Sequence, residues 1–251
     1  MASLGSVVRF LNGELRVKSF RDSSRNGLQV RGRGEICKVG FAVDASIEVF
    51  EKAARAGCDL VVVHHGILWK GKRDVTHNRG RRIAFLKGRR MGLYACHLPL
   101  DAHPIYGNNI VLAEMLGLGR IERFGRYEGA YIGYMGRFSR PMPLRRLASV
   151  LGRGIGARCL ALPYGKGAVR TVGIVSGRGS SLFPEAVRKG LDCFVTGEML
   201  HEAVVEARDA RVSLVIGGHY ATETVGVRAL MPLIGERFGV DTVFIDAPVS
   251  I

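Results

Sequence analysis

Four of the seven histidines in this 251-residue chain fall in three short clusters, each directly after a run that reads as a strand. The first cluster is VVVHHG, where His64 and His65 are adjacent. Neighbouring side chains diverge once a strand ends, so each imidazole can address a different ion. The second is CHLPLDA, in which His97 and Asp101 are four apart; that is one turn if the segment is helical, although Pro99 favours a non-helical turn. In the third, GGHYATETVG, the spacing of His219 and Glu223 brings an imidazole and a carboxylate onto one face of a starting helix. Taken singly, a histidine at a strand end is more often a satisfied core residue than a ligand, and an i, i+4 pair is often a plain helix-surface contact. Three such clusters together point to metal.

Mixed imidazole and carboxylate donors suit Zn, Mn, Fe, Co or Ni, and the lack of thiolate argues against a closed structural zinc site. Five donors, His64, His65, Asp101, His219 and Glu223, are too many for one catalytic ion. With a carboxylate bridging, they match two divalent ions about 3.5–4 Å apart that share a water, as in two-metal hydrolases. Asp44, at the end of the first strand, is either an acceptor behind an imidazole or a cap for the helix that starts near Ser46. His77, His103 and His201 are assigned to the surface, His201 with Glu198 close by.

The elements that must carry these residues alternate between strand and helix, which indicates the α/β class. Cys37 to Val43 is a short apolar run. Ser46 then caps a helix to about Ala56 with Gly57 as its stop, and Asp59 to Val63 is a buried strand that runs into His64 and His65. In such βαβ units, functional groups gather at the carboxyl ends of the strands. The same unit recurs at a constant offset of 133 residues, as TVGIVSGRGSS, LFPEAVRKG and LDCFVTGE. Between Val39 and His65, eight of 27 positions are identical to their partners, among them Gly40/Gly173, Phe50/Phe183 and Asp59/Asp192. This reads as an internal duplication giving two similar α/β domains of the three-layer sandwich type. It puts Glu198 in the place of His65. VSGRGSS is either a phosphate cradle or a tight strand-to-helix turn, and it lacks the lysine of a P-loop. YEGAYIGYMGRF, within Gly125 to Pro143, is a β-like run that opens the second domain; a strand over Arg211 to Ile216, a helix from about Thr222 to Leu230 and a strand over Thr242 to Asp246 close the chain.

Composition bounds the function. The chain is 47% hydrophobic, enough for a sizeable core. No stretch approaches the ~20 apolar residues of a membrane span, and the first residues do not resemble a signal peptide, so a cytoplasmic protein without membrane contact is expected. Five cysteines without a CxxC indicate neither a disulfide framework nor thiolate zinc; Cys58, Cys96 and Cys193 read as core. The net charge of +15 is concentrated in residues 1 to 191, with 33 basic against 13 acidic residues. Lys70 to Arg90 alone has nine Lys or Arg against Asp74. That stretch suits nucleotide phosphates, nucleic acid or a neighbouring subunit's carboxylates, and equally a solvated basic face.

NGLQVRG, AVDAS, DLVVVHHGILW, HLPLDA with GNN, TGE, and GGHYATETVGVRAL with VFIDAP resemble, in order and over nearly the whole chain, the motifs of the Nif-three-like dinuclear-metal-centre hexamers, also named GTP cyclohydrolase I type 2 homologues. The resemblance implies the short form of that family. It expects a first domain of residues 1–125 plus 218–251, with the C-terminal segment returning to complete it, and an inserted second domain of residues 126–217. It implies that His65 and Asp101 hold one ion, His64 and His219 the other, that Glu223 bridges both, and that His97 is nearby support or a proton carrier, which makes His97 and Glu223 the candidate catalytic residues. It also implies homohexamers built as trimers of dimers, and hydrolysis of the guanine imidazole ring of GTP. Two other functions compete: a ring-shaped nucleic-acid-binding or metal-scaffold protein without catalysis, and a metal-storage protein.

Overall fold

The computed structural model describes residues 1–71 and 77–249, and its contacts divide the chain into two units. The first comprises Met1–Leu100 and Val227–Ala247, the second Asp101–Gly226.

The first unit is built on a five-stranded sheet in the order Asp241–Phe244, Lys38–Asp44, Leu60–His65, Gly92–Ala95, Gly27–Val30. The first four strands are parallel and Gly27–Val30 is antiparallel. Leu60–Val63 is buried at every position, the mark of a strand covered on both faces. Side chains alternate across the sheet. Leu93 and Ala95 join Phe50, Ala53 and Leu86 of helices Ile47–Arg55 and Asn78–Gly88 in one core, while the Tyr94 hydroxyl donates to Asn12 Oδ1 on helix Leu4–Glu14. Helices therefore cover both faces of the sheet. Ser46 caps helix Ile47–Arg55, its Oγ accepting from Val49 N at 3.2 Å.

The second unit has a six-stranded sheet in the order Gly119–Tyr127, Ala130–Pro143, Ala168–Arg178, Cys193–Glu198, Ser213–Ile216, Leu160–Leu162. Its three central strands are those from Ala168, Cys193 and Ser213; the first two pair in parallel, as do the last two. Cys193, Val195 and Val215 pack against Leu112, Leu147 and Leu151 of helices Asn108–Met115 and Leu144–Ile155. Phe194 meets Phe124 and Phe183. The strand–helix–strand passages of the two units share a register. Val39 pairs with Leu60 and Gly40 with Val61; Val172 pairs with Cys193 and Gly173 with Phe194. Every one of these positions obeys the 133-residue offset.

Strand Gly119–Tyr127 pairs with Ala130–Pro143, and helix Asn108–Met115 packs on the same sheet, all within the second unit. Three sequence expectations are corrected. The helix expected over Thr222 to Leu230 runs from His219 to Phe238, continuing past Pro232 with Val227, Leu230 and Ile234 buried. Pro99 does not prevent a helix. It lies in the single turn Leu98–Asp101, within the first turn, where no helical partner awaits its missing N–H. The closing strand is Asp241–Phe244, parallel to Lys38–Asp44. Among the described residues no helix is long and apolar enough to cross a membrane.

Candidate metal centre

The apolar run before His64 makes a strand of Leu60–His65, and the strand carries both imidazoles at its carboxyl end. His64 is fully buried, with Nδ1 3.0 Å from the Cys96 carbonyl. The Nδ1 of His65 lies 2.9 Å from Asp44 Oδ1, so Asp44 is the acceptor behind an imidazole and Ser46 does the capping. His97 follows the next strand, Gly92–Ala95. Its Nδ1 is 3.0 Å from Asp22 Oδ1, and its backbone N–H donates to Asn26 Oδ1 at 2.8 Å. Asp22 is itself buried and also accepts from Leu98 N, Ser24 N and Asn26 Nδ2. Burial raises the Asp22 pKa, but His97, Asn26 and the Ser24 amide outweigh it and bring it down to about 2. One ring nitrogen of each of His64, His65 and His97 lies within 4.8 Å of the others, a group able to hold a metal ion.

The start of helix His219–Phe238, which lies in the second unit, presents His219 and Glu223 on one face, with Nε2 3.2 Å from Glu223 Oε1. The His219 Nδ1 lies 3.2 Å from Glu198 Oε1, at the end of strand Cys193–Glu198. Glu198, 133 residues after His65, is thus an acceptor that orients His219. Burial lowers the His219 pKa, yet Glu223 and Glu198 together push it up to about 9. Asp101 is buried; its Oδ1 accepts from Asn108 Nδ2 at 2.9 Å and Ser176 Oγ at 3.1 Å. Asn108 Oδ1 in turn accepts from Gly226 N, and Asn109 Oδ1 from Ser176 N.

Several residues that position the donors were not singled out from the sequence: Asp22, Asn26, Asn108, Asn109, Ser176 and Gly177. Gly177 has φ +60, and a Cβ there would collide with the Glu223 carboxylate. The VSGRGSS segment is a tight turn whose Gly177 and Gly179 amides donate to Thr222 Oγ1 and Thr196 Oγ1 rather than facing a phosphate. His103, expected at the surface, is buried. Its Nδ1 accepts from the backbone N–H groups of Ile105 and Tyr106. His77 and His201 are exposed; Cys58, Cys96 and Cys193 are buried. Of the basic stretch Lys70 to Arg90, residues 72–76 lie outside the described residues.

The chain is similar to known proteins over its whole length. The profile of the Duf34/NIF3 (NGG1p interacting factor 3) family matches residues 2–249. A GTP cyclohydrolase 1 type 2 homolog of Pyrococcus horikoshii is 44% identical over 246 residues, covering 98% of both chains, and one of Archaeoglobus fulgidus is 41% identical over 249 residues, 99% of this chain and 100% of that one. Among solved structures, TTHA1606 from Thermus thermophilus superposes with a TM-score of 0.88 at 40% identity, covering 99% of this chain and 100% of that one.

Proposed function

Starting from the fact that this chain belongs to the Duf34/NIF3 family, we propose that it is a dinuclear metal-dependent hydrolase acting on a nucleotide, in the sense that its relatives' name, GTP cyclohydrolase 1 type 2 homolog, suggests. The observation that carries the reading is the state of the candidate donors. His64, His65 and His219 each have Nδ1 within hydrogen-bond distance of an oxygen, which orients the ring with Nε2 as its candidate ligating atom, and Asp101 Oδ1 accepts from Asn108 Nδ2 and Ser176 Oγ. In this reading His64, His65, Asp101, His219 and Glu223 would hold two divalent ions of the Zn, Mn, Fe, Co or Ni class, with Glu223 serving both. Bound there, such ions would supply Lewis-acid activation of water and positive charge beside the reacting atoms.

The remaining steps belong to the chain. Asp44 and Glu198 fix their imidazoles against rotation, and Asp22 fixes the His97 ring with Nε2 available to take up or return a proton. Basic side chains hold the phosphates. The test is turnover of a nucleotide panel including GTP by metal-loaded protein, with Glu223→Gln as control. Product formation that falls by about a hundredfold or more in the variant is expected; no turnover above the variant's level with any nucleotide sinks the reading. Sedimentation of the purified protein should show six chains.

A second reading, nucleic-acid binding without catalysis, is favoured by residues 78–90. Arg81, Lys87, Arg89 and Arg90 are exposed there and no acidic residue interrupts them. It expects affinity for DNA that survives chelation and falls steeply with salt. Failure to bind at low salt excludes it.

A further inference from the structure

The first unit contains more donors than the two-ion assignment uses. His97 follows a strand parallel to and beside the one bearing His64 and His65, and Val63 pairs with Ala95 just before them. The ring centres of the three imidazoles are separated by 4.6 Å (His64 to His65), 5.2 Å (His64 to His97) and 5.6 Å (His65 to His97). Three imidazoles sharing one ion through nitrogens at ~2.1 Å put their ring centres about 4.5–5.5 Å apart for bond angles between octahedral and tetrahedral. The His64–His65 and His64–His97 separations fall in that range and the His65–His97 separation lies just beyond it.

All three rings are also set in one tautomeric sense. Each Nδ1 faces an oxygen: the Cys96 carbonyl for His64, Asp44 for His65 and Asp22 for His97, at 3.0, 2.9 and 3.0 Å. This is the outer-shell arrangement of metal-bound histidines, in which the bonded nitrogen sets ring orientation and the other is the ligand. The His97 ring is further confined by Trp69, whose ring centre is 5.1 Å away edge-on and whose indole N–H is tied to the Gly66 carbonyl.

We propose that His64, His65 and His97 form a three-imidazole site in the first unit that binds one divalent transition ion through their Nε2 atoms, without any donor from the second unit. Asp22 is the positioning residue for His97. The inference rests on the metal-binding part of the reading above and adds a ligand and a loading state to it. Three neutral nitrogens favour Co, Ni, Cu or Zn over Mg or Ca. While His97 holds the ion it cannot carry a proton, so the singly loaded protein is an inactive storage or loading state.

The experiment uses the full-length chain with Asp101→Asn, His219→Gln and Glu223→Gln combined, shown to be folded by circular dichroism. Titrated with Co(II), this variant should bind one equivalent per chain, with a visible ligand-field spectrum and magnetic couplings to three imidazoles. Adding His97→Gln should weaken cobalt at least tenfold and remove one coupling; Asp22→Asn should weaken it less, with the spectrum altered. If the triple variant takes no cobalt while the wild type takes two, the proposal is wrong and the two-ion reading stands. If the wild type takes none, both are wrong. Should the triple variant not fold, the first equivalent of cobalt in the wild type and in His97→Gln gives the same answer: identical spectra overturn the proposal.

Discussion

His219 lies between two carboxylates, and in the metal-free protein its charge is part of the folded state. Its pKa is raised from 6.5 to about 9, so the stabilisation from its charged form is complete below about pH 6.5 and is lost as the pH climbs through 9. Chemical denaturation of metal-free protein across that window should show stability falling with rising pH. Glu198→Gln, which removes one of the two anions, should bring the His219 titration seen by NMR back toward 6.5; an unchanged titration would show that Glu223 acts alone. Gly177 offers a second test at this scale. Alanine there must adopt φ +60 and meet the Glu223 carboxylate, so Gly177→Ala should cost at least about 2 kcal/mol in urea unfolding. It should also weaken metal binding, which a purely structural glycine would leave intact. The candidate histidines His64, His65, His97 and His219 stood out in the sequence because each ends or follows an apolar strand. The holders of the donors did not: Ser176 meets Asp101 across 75 positions and Asp22 meets His97 across the same separation, and no local spacing encodes such a pairing.

Within the elements, one carboxylate recurs at the start of corresponding strands. Asp59 Oδ2 accepts from the backbone N–H groups of Cys37 and Lys38, and Asp192 Oδ2 accepts from those of Arg170 and Thr171, again 133 residues apart. Each clamps the entry of one strand to its parallel neighbour. Burial raises the Asp192 pKa, but the donors at Thr171, Arg170 and Lys166 outweigh it and leave it lowered. Its stabilisation is therefore present above the ordinary carboxylate range and fades only as the pH falls below it. Asp192→Ala should cost about 2–4 kcal/mol near neutral pH, since it leaves two backbone amides to find other partners. The difference from wild type should shrink in acid, and a difference that persists in acid would refute the clamp. The identity of Asp59 and Asp192 within the repeat was the sequence trace of this feature. Much of the α/β order was legible for the same reason: runs such as LVVV and the Ser46 cap specify strand and helix locally. The second unit's first strand was not, because Gly119–Tyr127 is mostly exposed and lacks an apolar run that would separate it from a surface loop.

For the whole molecule, ions that bind only the folded chain must raise its melting temperature. Chelation is expected to lower the midpoint by several degrees, and added Zn, Co or Ni to restore it in a concentration-dependent way; a midpoint indifferent to chelator would exclude tight metal binding. The strand Asp241–Phe244 has a separate consequence. It supplies the neighbour of Lys38–Asp44 in the first sheet, although some two hundred residues lie between them in sequence. A ribosome therefore releases every other strand of that sheet long before the last one, while Asp101–Gly226 is contiguous and complete earlier. The amino-terminal part must wait, with the backbone of Lys38–Asp44 open to pairing with a passing chain. Nascent chains stalled before residue 240 should thus present a protease-sensitive amino-terminal half beside a resistant middle, and the emergence of residues 241–244 becomes the moment at which the histidine-bearing sheet closes.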